Sequence, residues 1–267
     1  MTDGYRITIL GCGSSGGVPR FGNEWGACDP LNPKNRRRRC SALVERVGAR
    51  GVTRVLFDTS PDLRMQLLDA GVATVDAVVY THAHADHVHG IDDLRMIVHL
   101  TRQRLPVWAD APTSERLMGS FGYVFSTPQG SHYPPICTLN LLGRGVTVTG
   151  AGGEVAIEAI EVIHGNIRAQ GLRVGEMVYM PDVSEIPHWA WERLEGTELF
   201  IIDALRRRPH PSHAHLDRAL EWIERLAPGR AVLTNLHVDL DHARLCEELP
   251  DGVIPAHDML RLSFAGG

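Results

Sequence analysis

The stretch Thr81-His82-Ala83-His84-Ala85-Asp86-His87-Val88-His89-Gly90 follows directly on Asp76-Ala77-Val78-Val79-Tyr80, a short apolar run with the length and β-branched content of a buried strand. In an extended segment the period of 2 puts His82 and His84 on one side together. Asp86 and His87 lie further along, where the chain turns into a helix expected near Gly90. Neutral imidazole and carboxylate are the ligands that borderline divalent ions such as zinc prefer, and three protein ligands with an open position make a hydrolytic site. The small alanines let the backbone fold tightly, and the spacing suits two adjacent metals. A polar loop with chance histidines is the bland alternative, and H-x-H-x-D-H at a strand end argues against it.

Working outward, residues 5–10 alternate like a half-buried strand and run into the glycine-rich stretch Gly11-Cys-Gly-Ser-Ser-Gly-Gly17. Residues 18–39 hold several Pro and Gly and four consecutive arginines, Arg36 to Arg39, with no period of 2 or 3.6, which predicts a long surface loop. The arginine run is either a solvated face or a phosphate grip. Strands are expected over 41–47 and 53–58, a helix over 61–70 ended by Gly71, and further strands around 106–109, 146–149, 154–163, 175–180, 199–203 and 231–234. Between the last two, Leu216, Leu220, Ile223 and Leu226 fall on one helical face. Many short strands with a few helices and no central linker imply one α/β domain over residues 1–267.

Composition fits an ordinary globular protein: 267 residues, 43% apolar and 22% charged. A net charge of −5 supplies no overall basic field, so DNA is not an expected partner. No run approaches the roughly 18 apolar residues of a membrane span, and the start lacks a basic region followed by an apolar one, so no membrane partner and a cytoplasmic location are expected. The five cysteines are odd in number, widely spaced and free of C-x-x-C, which suits neither a disulfide framework nor a cysteine-built zinc site. The segment from Gly11 to Gly16 matches G-x-G-x-x-G, but no helix can start in Gly17-Val18-Pro19-Arg20, so a dinucleotide fingerprint is rejected. A looser role, backbone N–H groups facing a substrate phosphate, stays open.

The H-x-H-x-D-H segment resembles the hallmark of the metallo-β-lactamase superfamily. The resemblance implies a four-layer αββα sandwich with a dinuclear site at one edge. It also implies further ligands at strand ends, matched in order by His164 in V-I-H-G-N, Asp182 in Y-M-P-D-V-S, and the segment Val232-Leu-Thr-Asn-Leu-His237. On this likeness His82, His84 and His164 hold the first of two divalent ions, zinc or manganese. Asp86, His87 and the late residue hold the second, Asp182 bridges, and a bridging hydroxide is the nucleophile. Asp58, closing Leu56-Phe57-Asp58, resembles the carboxylate that orients a metal-bound histidine, and a turn cap is its alternative. Relatives read L-T-H where this chain reads Leu233-Thr234-Asn235, then Leu236-His237. Alternation puts Asn235 and His237 on one strand face, and imidazole is the better ligand, so His237 is taken as the ligand and Asn235 as the alternative.

The glycine-rich opening, the loop to Cys40-Ser41 and His213 together look like the phosphoribosyl 1,2-cyclic phosphodiesterases and their relatives, over nearly the full length. That likeness makes His213 the general acid toward the leaving oxygen, with His215 close enough to be confused with it. His213 and Asp86 are thus the expected catalytic residues. Those phosphodiesterases also bind a structural zinc, whose positions here read Asn23, Trp25, Cys28 and Val238, so that site is expected to be absent. The leading expectation is a dinuclear metal-dependent phosphodiesterase acting on a small cyclic phosphate or nucleotide, with a homodimer allowed for. The competitors are ribonuclease Z-like processing of tRNA 3′ ends, a thioester or lactone hydrolase, and a non-catalytic metal- or nucleotide-binding module.

Overall fold

The computed structural model describes residues 4–266. The chain alternates short strands with helices: β1 (Gly4–Gly11), β2 (Ser41–Gly48), β3 (Gly51–Phe57), α1 (Leu63–Ala70), β4 (Ala77–Val79), α2 (Ala85–Val88), α3 (Leu94–Thr101), β5 (Leu105–Ala109), α4 (Ala111–Phe125) and β6 (Cys137–Leu141). The second half follows as β7 (Gly145–Gly150), β8 (Gly153–His164), β9 (Ile167–Val174), β10 (Met177–Met180), α5 (His188–Glu192), β11 (Leu199–Asp203), α6 (Leu216–Leu226), β12 (Arg230–Thr234), α7 (His242–Glu248), β13 (Val253–Pro255) and β14 (Leu260–Phe264). Two seven-stranded sheets result, in the orders β14-β1-β2-β3-β4-β5-β6 and β13-β12-β11-β10-β9-β8-β7.

Alternation within the strands builds the layers. Ile7, Ile9, Val44, Val55 and Phe57 of the first sheet pack against Ile157, Leu172, Tyr179 and Ile201 of the second, filling the space between the sheets. The opposite face of the first sheet, with Leu43, Leu56 and Val78, is covered by Leu63, Leu94 and Leu117 of α1, α3 and α4. The outer face of the second sheet, with Val178, Phe200 and Ile202, takes Ala190, Trp222 and Leu245 of α5, α6 and α7. Strands apolar on both faces are what a sheet buried on both sides requires, and the four-layer αββα sandwich is as expected.

The strands that carry chemistry run parallel. β3 to β6 are parallel neighbours, as are β10 to β13, so their C-terminal ends meet at one edge of the sandwich. Ligands of α/β sheets bind outside such carboxyl ends.

Several local expectations change. The helix placed near Gly90 starts earlier: Asp86 and His87 lie on the single turn α2, followed by a 3-10 turn over Ile91–Asp93. β9 was not foreseen, because Gly171 interrupts its alternation. A Cβ there would come within 2.8 Å of the Met180 side chain, so glycine serves packing there rather than breaking the strand. The loop before β2 is not simply a surface loop. Arg37 is 2% exposed and donates Nη2–H to Leu240 O at 2.7 Å and Nη1–H to His237 O at 3.3 Å. Arg38 pairs with Asp258 and Asp69 and Arg39 with Asp62, while Arg36 lies over the Trp25 ring. The run is therefore a clamp that fastens the loop to the body. Cys28, Val18 and Val238 pack together with Trp25 where the resemblance places a zinc loop in relatives. Among the described residues no helix is long and apolar enough to cross a membrane.

Candidate active site

Most site residues sit at or just past a strand end, with Asp86 and His87 on α2 and His213 in the stretch before α6. Asp58 follows β3, His82 and His84 follow β4, His164 ends β8, Asp182 follows β10, Asp203 ends β11, and Asn235 follows β12. Gly165 makes one approach feasible. At φ 61° it has no side chain to collide with Ser212, whose Cβ would be 2.7 Å from an added Cβ, and the Ser212 carbonyl therefore reaches His164 Nδ1.

Asp182 is the hub. Its Oδ1 lies 4.0 Å from His82 Nε2, 3.8 Å from His164 Nε2 and 3.6 Å from His213 Nδ1, and its Oδ2 lies 3.0 Å from His87 Nε2. His84 Nδ1 is 3.1 Å from His164 Nε2, and Asp86 Oδ2 is 3.7 Å from His87 Nε2. The ligand atoms of His82, His84 and His164 converge, as do those of His82, His87 and Asp182 and those of His164, Asp182 and His213. His82 Nε2, His87 Nε2 and Asp182 Oδ2 are buried, and apart from the 3.0 Å approach of the last two to each other they have no hydrogen-bond partner. A buried polar atom left this way costs about 1–3 kcal/mol. Lone pairs of imidazole and carboxylate aimed at one another are the donor set a divalent cation satisfies.

The electrostatics agree with that demand. Burial, helped by the neighbouring His87, pushes His82 well below the usual histidine range, and burial also lowers His164, so both favour the neutral ligand form. Burial opposes charge on Asp182, but His87 and His82 outweigh it and hold the carboxyl well below its usual range. His87 is also buried, yet Asp182, Asp58 and Asp86 raise it well above the ordinary value. That concentration of carboxylates makes the surroundings of this imidazole anionic and favourable to positive charge.

Asp58 has the orienting geometry its resemblance implied. Fully buried at φ 62°, it accepts from Thr81 N and Thr81 Oγ1 at 2.8 Å each, and its Oδ2 is 2.7 Å from His87 Nδ1. The Nδ1–H is thereby directed to Asp58 and the Nε2 lone pair toward Asp182.

The late position departs from expectation. β12 ends at Thr234 and Asn235 turns into the left-handed region at φ 61°, so the alternation that was to align Asn235 with His237 stops there. Asn235 points into the cluster: its amide donates to Pro181 O at 3.0 Å and reaches Asp182 Oδ1 at 3.3 Å. His237 belongs to none of the converging groups among the described residues. Its Nδ1 meets Asp239 at 3.0 Å and its Nε2 meets the Arg20 guanidinium. Of the two candidates, Asn235 is the one beside the ligands.

His213 is brought to the cluster, whereas His215, which occupies the N-cap position of α6, is in none of the converging groups among the described residues. His213 Nδ1 is 2.8 Å from Asp203 Oδ2. Burial opposes its charge, but Asp203 and then Asp182 raise its pKa above the ordinary histidine value. Asp203 has no role in the sequence reading, although Leu199-Phe-Ile-Ile-Asp203 repeats the apolar-strand-then-Asp ending of Leu56-Phe57-Asp58. A cavity of about 300 Å³ opens onto His84, Asp86, Asp182, His213 and Asn235, and Ser14 and Ser15 of the glycine-rich loop line it.

The structure is similar to that of a diphosphatase from the PhnP family, with a TM-score of 0.86 and 34% identity over 97% of each chain. It shares its fold with Zn²⁺-bound PqqB from Methylobacterium extorquens, at TM-score 0.73 and 16% identity over 97% of this chain and all of that one. An octanoyltransferase of Porphyromonas gingivalis is 32% identical over 258 residues, which are 96% of this chain and 51% of that protein, so the chain spans about half the length of this curated relative. The family model described as the beta-lactamase superfamily domain matches residues 53–235, the span from β3 through the ligand cluster to Asn235. The chain belongs to the metallo-β-lactamase superfamily of hydrolases.

Proposed function

We propose that the protein is a metal-dependent phosphodiesterase acting on a small phosphorylated substrate, a cyclic phosphate or a nucleotide, with two divalent ions, zinc or manganese. In this reading His82, His84 and His164 would hold one ion and Asp86 and His87 the other, with Asp182 within reach of both groups. Asn235 stands at the late position. The observation that carries the reading is the set of buried, unpartnered atoms His82 Nε2, His87 Nε2 and Asp182 Oδ2 beside a cavity that His213 also lines. Cations bound there supply an ionised water near neutral pH and stabilise charge developing on the attacked group.

The chain's own residues do the rest. Asp58 fixes His87 in the tautomer that offers Nε2 inward. Asp203 accepts the Nδ1–H of His213, which leaves Nε2 as the ring nitrogen for the cavity. An imidazolium held by Asp203 can then give its Nε2 proton to the departing alkoxide, a step that matters most where the leaving oxygen is basic. The likeness to a diphosphatase over nearly the whole chain favours phosphorus over carbon as the attacked atom.

The test is hydrolysis of bis(p-nitrophenyl) phosphate by protein stripped with chelator and reloaded with zinc or manganese, beside Asp86→Ala and His213→Ala. Turnover that returns with metal and falls in both variants is expected. Metal-loaded protein that leaves the phosphodiester intact but cleaves thioesters or lactones would overturn the reading.

A further inference from the structure

Two arginines line the same cavity and are unused by the chemistry above. Arg206 donates Nε–H to Arg208 O at 3.0 Å and Nη2–H to Pro209 O at 2.7 Å, and it forms no ion pair among the described residues. A guanidinium fixed by carbonyls and lacking a counter-ion is pre-organised for an incoming anion. Arg20 is fixed from the other direction. Asp239 accepts the Nδ1–H of His237 at 3.0 Å and also a backbone N–H from Arg207 at 3.1 Å, so His237 Nε2 keeps a lone pair to accept from the Arg20 guanidinium. Among the described residues the carboxylate in ion-pair range of Arg20 is Glu24, 4.0 Å away and mostly exposed, too weak a partner to neutralise it.

We infer that Arg20 and Arg206 form an anion clamp that selects substrates carrying a second phosphate beside the one hydrolysed, with His237 as the residue that positions Arg20. The inference rests on the phosphodiesterase reading and narrows it to a phosphoanhydride between two phosphate esters. The single charge of a cyclic phosphodiester is met at the cation-binding cluster and leaves the two guanidinium groups uncompensated, whereas a diphosphate carries a second anionic group for the arginines that line the same cavity. In the reaction the water oxygen bonds to the attacked phosphorus. The bond from that phosphorus to the bridging oxygen breaks, and its electron pair leaves with the second phosphate, held by the clamp. His213 protonates the departing oxygen and is replenished by the proton lost from water, so one water and one diphosphate diester become two phosphate monoesters.

The test compares binding of methylenediphosphonate and methylphosphonate to the manganese-loaded protein by calorimetry, with Arg20→Gln, Arg206→Gln and, as a control, Arg207→Gln, whose side chain pairs with Glu248 on the surface. Methylenediphosphonate also chelates metal, so the decisive quantity is the arginine dependence of the preference. Each of the two cavity variants is expected to weaken the diphosphonate by about 10-fold or more and the monophosphonate by less than about threefold. The control should leave the ratio unchanged. For His237, replacement by Leu should raise KM for a dinucleoside diphosphate far more than it lowers kcat, and replacement by Gln, which can still accept from Arg20 and donate to Asp239, should restore it. Equal weakening of both probes, or none, overturns the clamp. If that occurs while bis(p-nitrophenyl) phosphate is hydrolysed, the clamp fails and the phosphodiesterase reading stands. An arginine-dependent preference in a protein inert toward phosphodiesters and diphosphates keeps the clamp and sinks that reading instead.

Discussion

Replacing Asp58 by asparagine changes one oxygen into an NH₂ group at a fully buried position and disturbs little else. Asparagine tolerates the left-handed backbone conformation at φ 62°, and the volume is conserved, so the fold should survive. The amide oxygen can keep the Thr81 N–H bond of 2.8 Å, which puts the NH₂ where Oδ2 faced His87 Nδ1 at 2.7 Å. Two donors cannot share that contact. His87 must then move its proton to Nε2, the atom that lies 3.0 Å from Asp182 Oδ2 and that a cation needs unprotonated. A hydrogen bond to a charged group contributes about 1.5–3 kcal/mol, and at 1.4 kcal/mol per decade this is roughly a 10- to 100-fold loss of metal affinity, the range usual for such orienting partners. Chelator-competition titration of zinc into wild-type and Asp58→Asn protein measures it directly. Wild-type affinity in the variant, within about a factor of two, would refute the argument that His87 needs its tautomer set from behind.

Other expectations follow from single contacts. Asp203→Ala should lower kcat by about 10²-fold or more, close to His213→Ala, with metal content unchanged, because His213 loses the acceptor that orients it. Loss of metal in that variant, seen by elemental analysis, would mean Asp203 acts on the ligands instead. Arg37→Ala should cost about 2–4 kcal/mol in urea unfolding by stranding the carbonyls of Leu240 and His237, whereas the adjacent, exposed Arg36→Ala should cost about 1 kcal/mol or less. Phe57→Ala, which empties the space against Tyr179 between the sheets, should cost about 3–5 kcal/mol by the same measurement. Burial, with the charge of Lys34, lowers the His242 pKa from 6.5 to about 4. A depressed histidine binds its proton better in the unfolded chain, so its contribution is complete above pH 6.5 and is lost as pH falls toward 4. His242→Gln should therefore narrow the stability drop between pH 7 and pH 4 by up to about 3 kcal/mol, and parallel curves for the two proteins would contradict the burial argument.

Much of this architecture is written locally. Alternation in residues 5–10, the strands 41–47 and 53–58 flanking the turn at Gly48 to Gly51, and the helical face of Leu216 to Leu226 depend on near neighbours, and those elements stand where the sequence predicts them. The helix 61–70 also ends at Gly71 in the left-handed conformation its cap requires. β9 was hidden because Gly171 answers to Met180 across the sheet, a contact that sequence distance does not reveal.

At the site the division is similar. H-x-H-x-D-H identifies its chemistry from six consecutive residues, since ligand type and spacing there are properties of one strand end and one helical turn. Which distant residues complete it is a tertiary matter. Asp203 joins because β11 lies beside β10, so that its end falls next to Asp182 and its carboxylate reaches His213. Asn235 displaces His237 because the chain leaves the strand at Thr234 with a left-handed turn that no alternation rule anticipates. The sequence alone determined the superfamily and the metal-binding chemistry. The packing of parallel strand ends from two sheets decided which carboxylates orient the histidines, and which histidine faces an arginine in place of an ion.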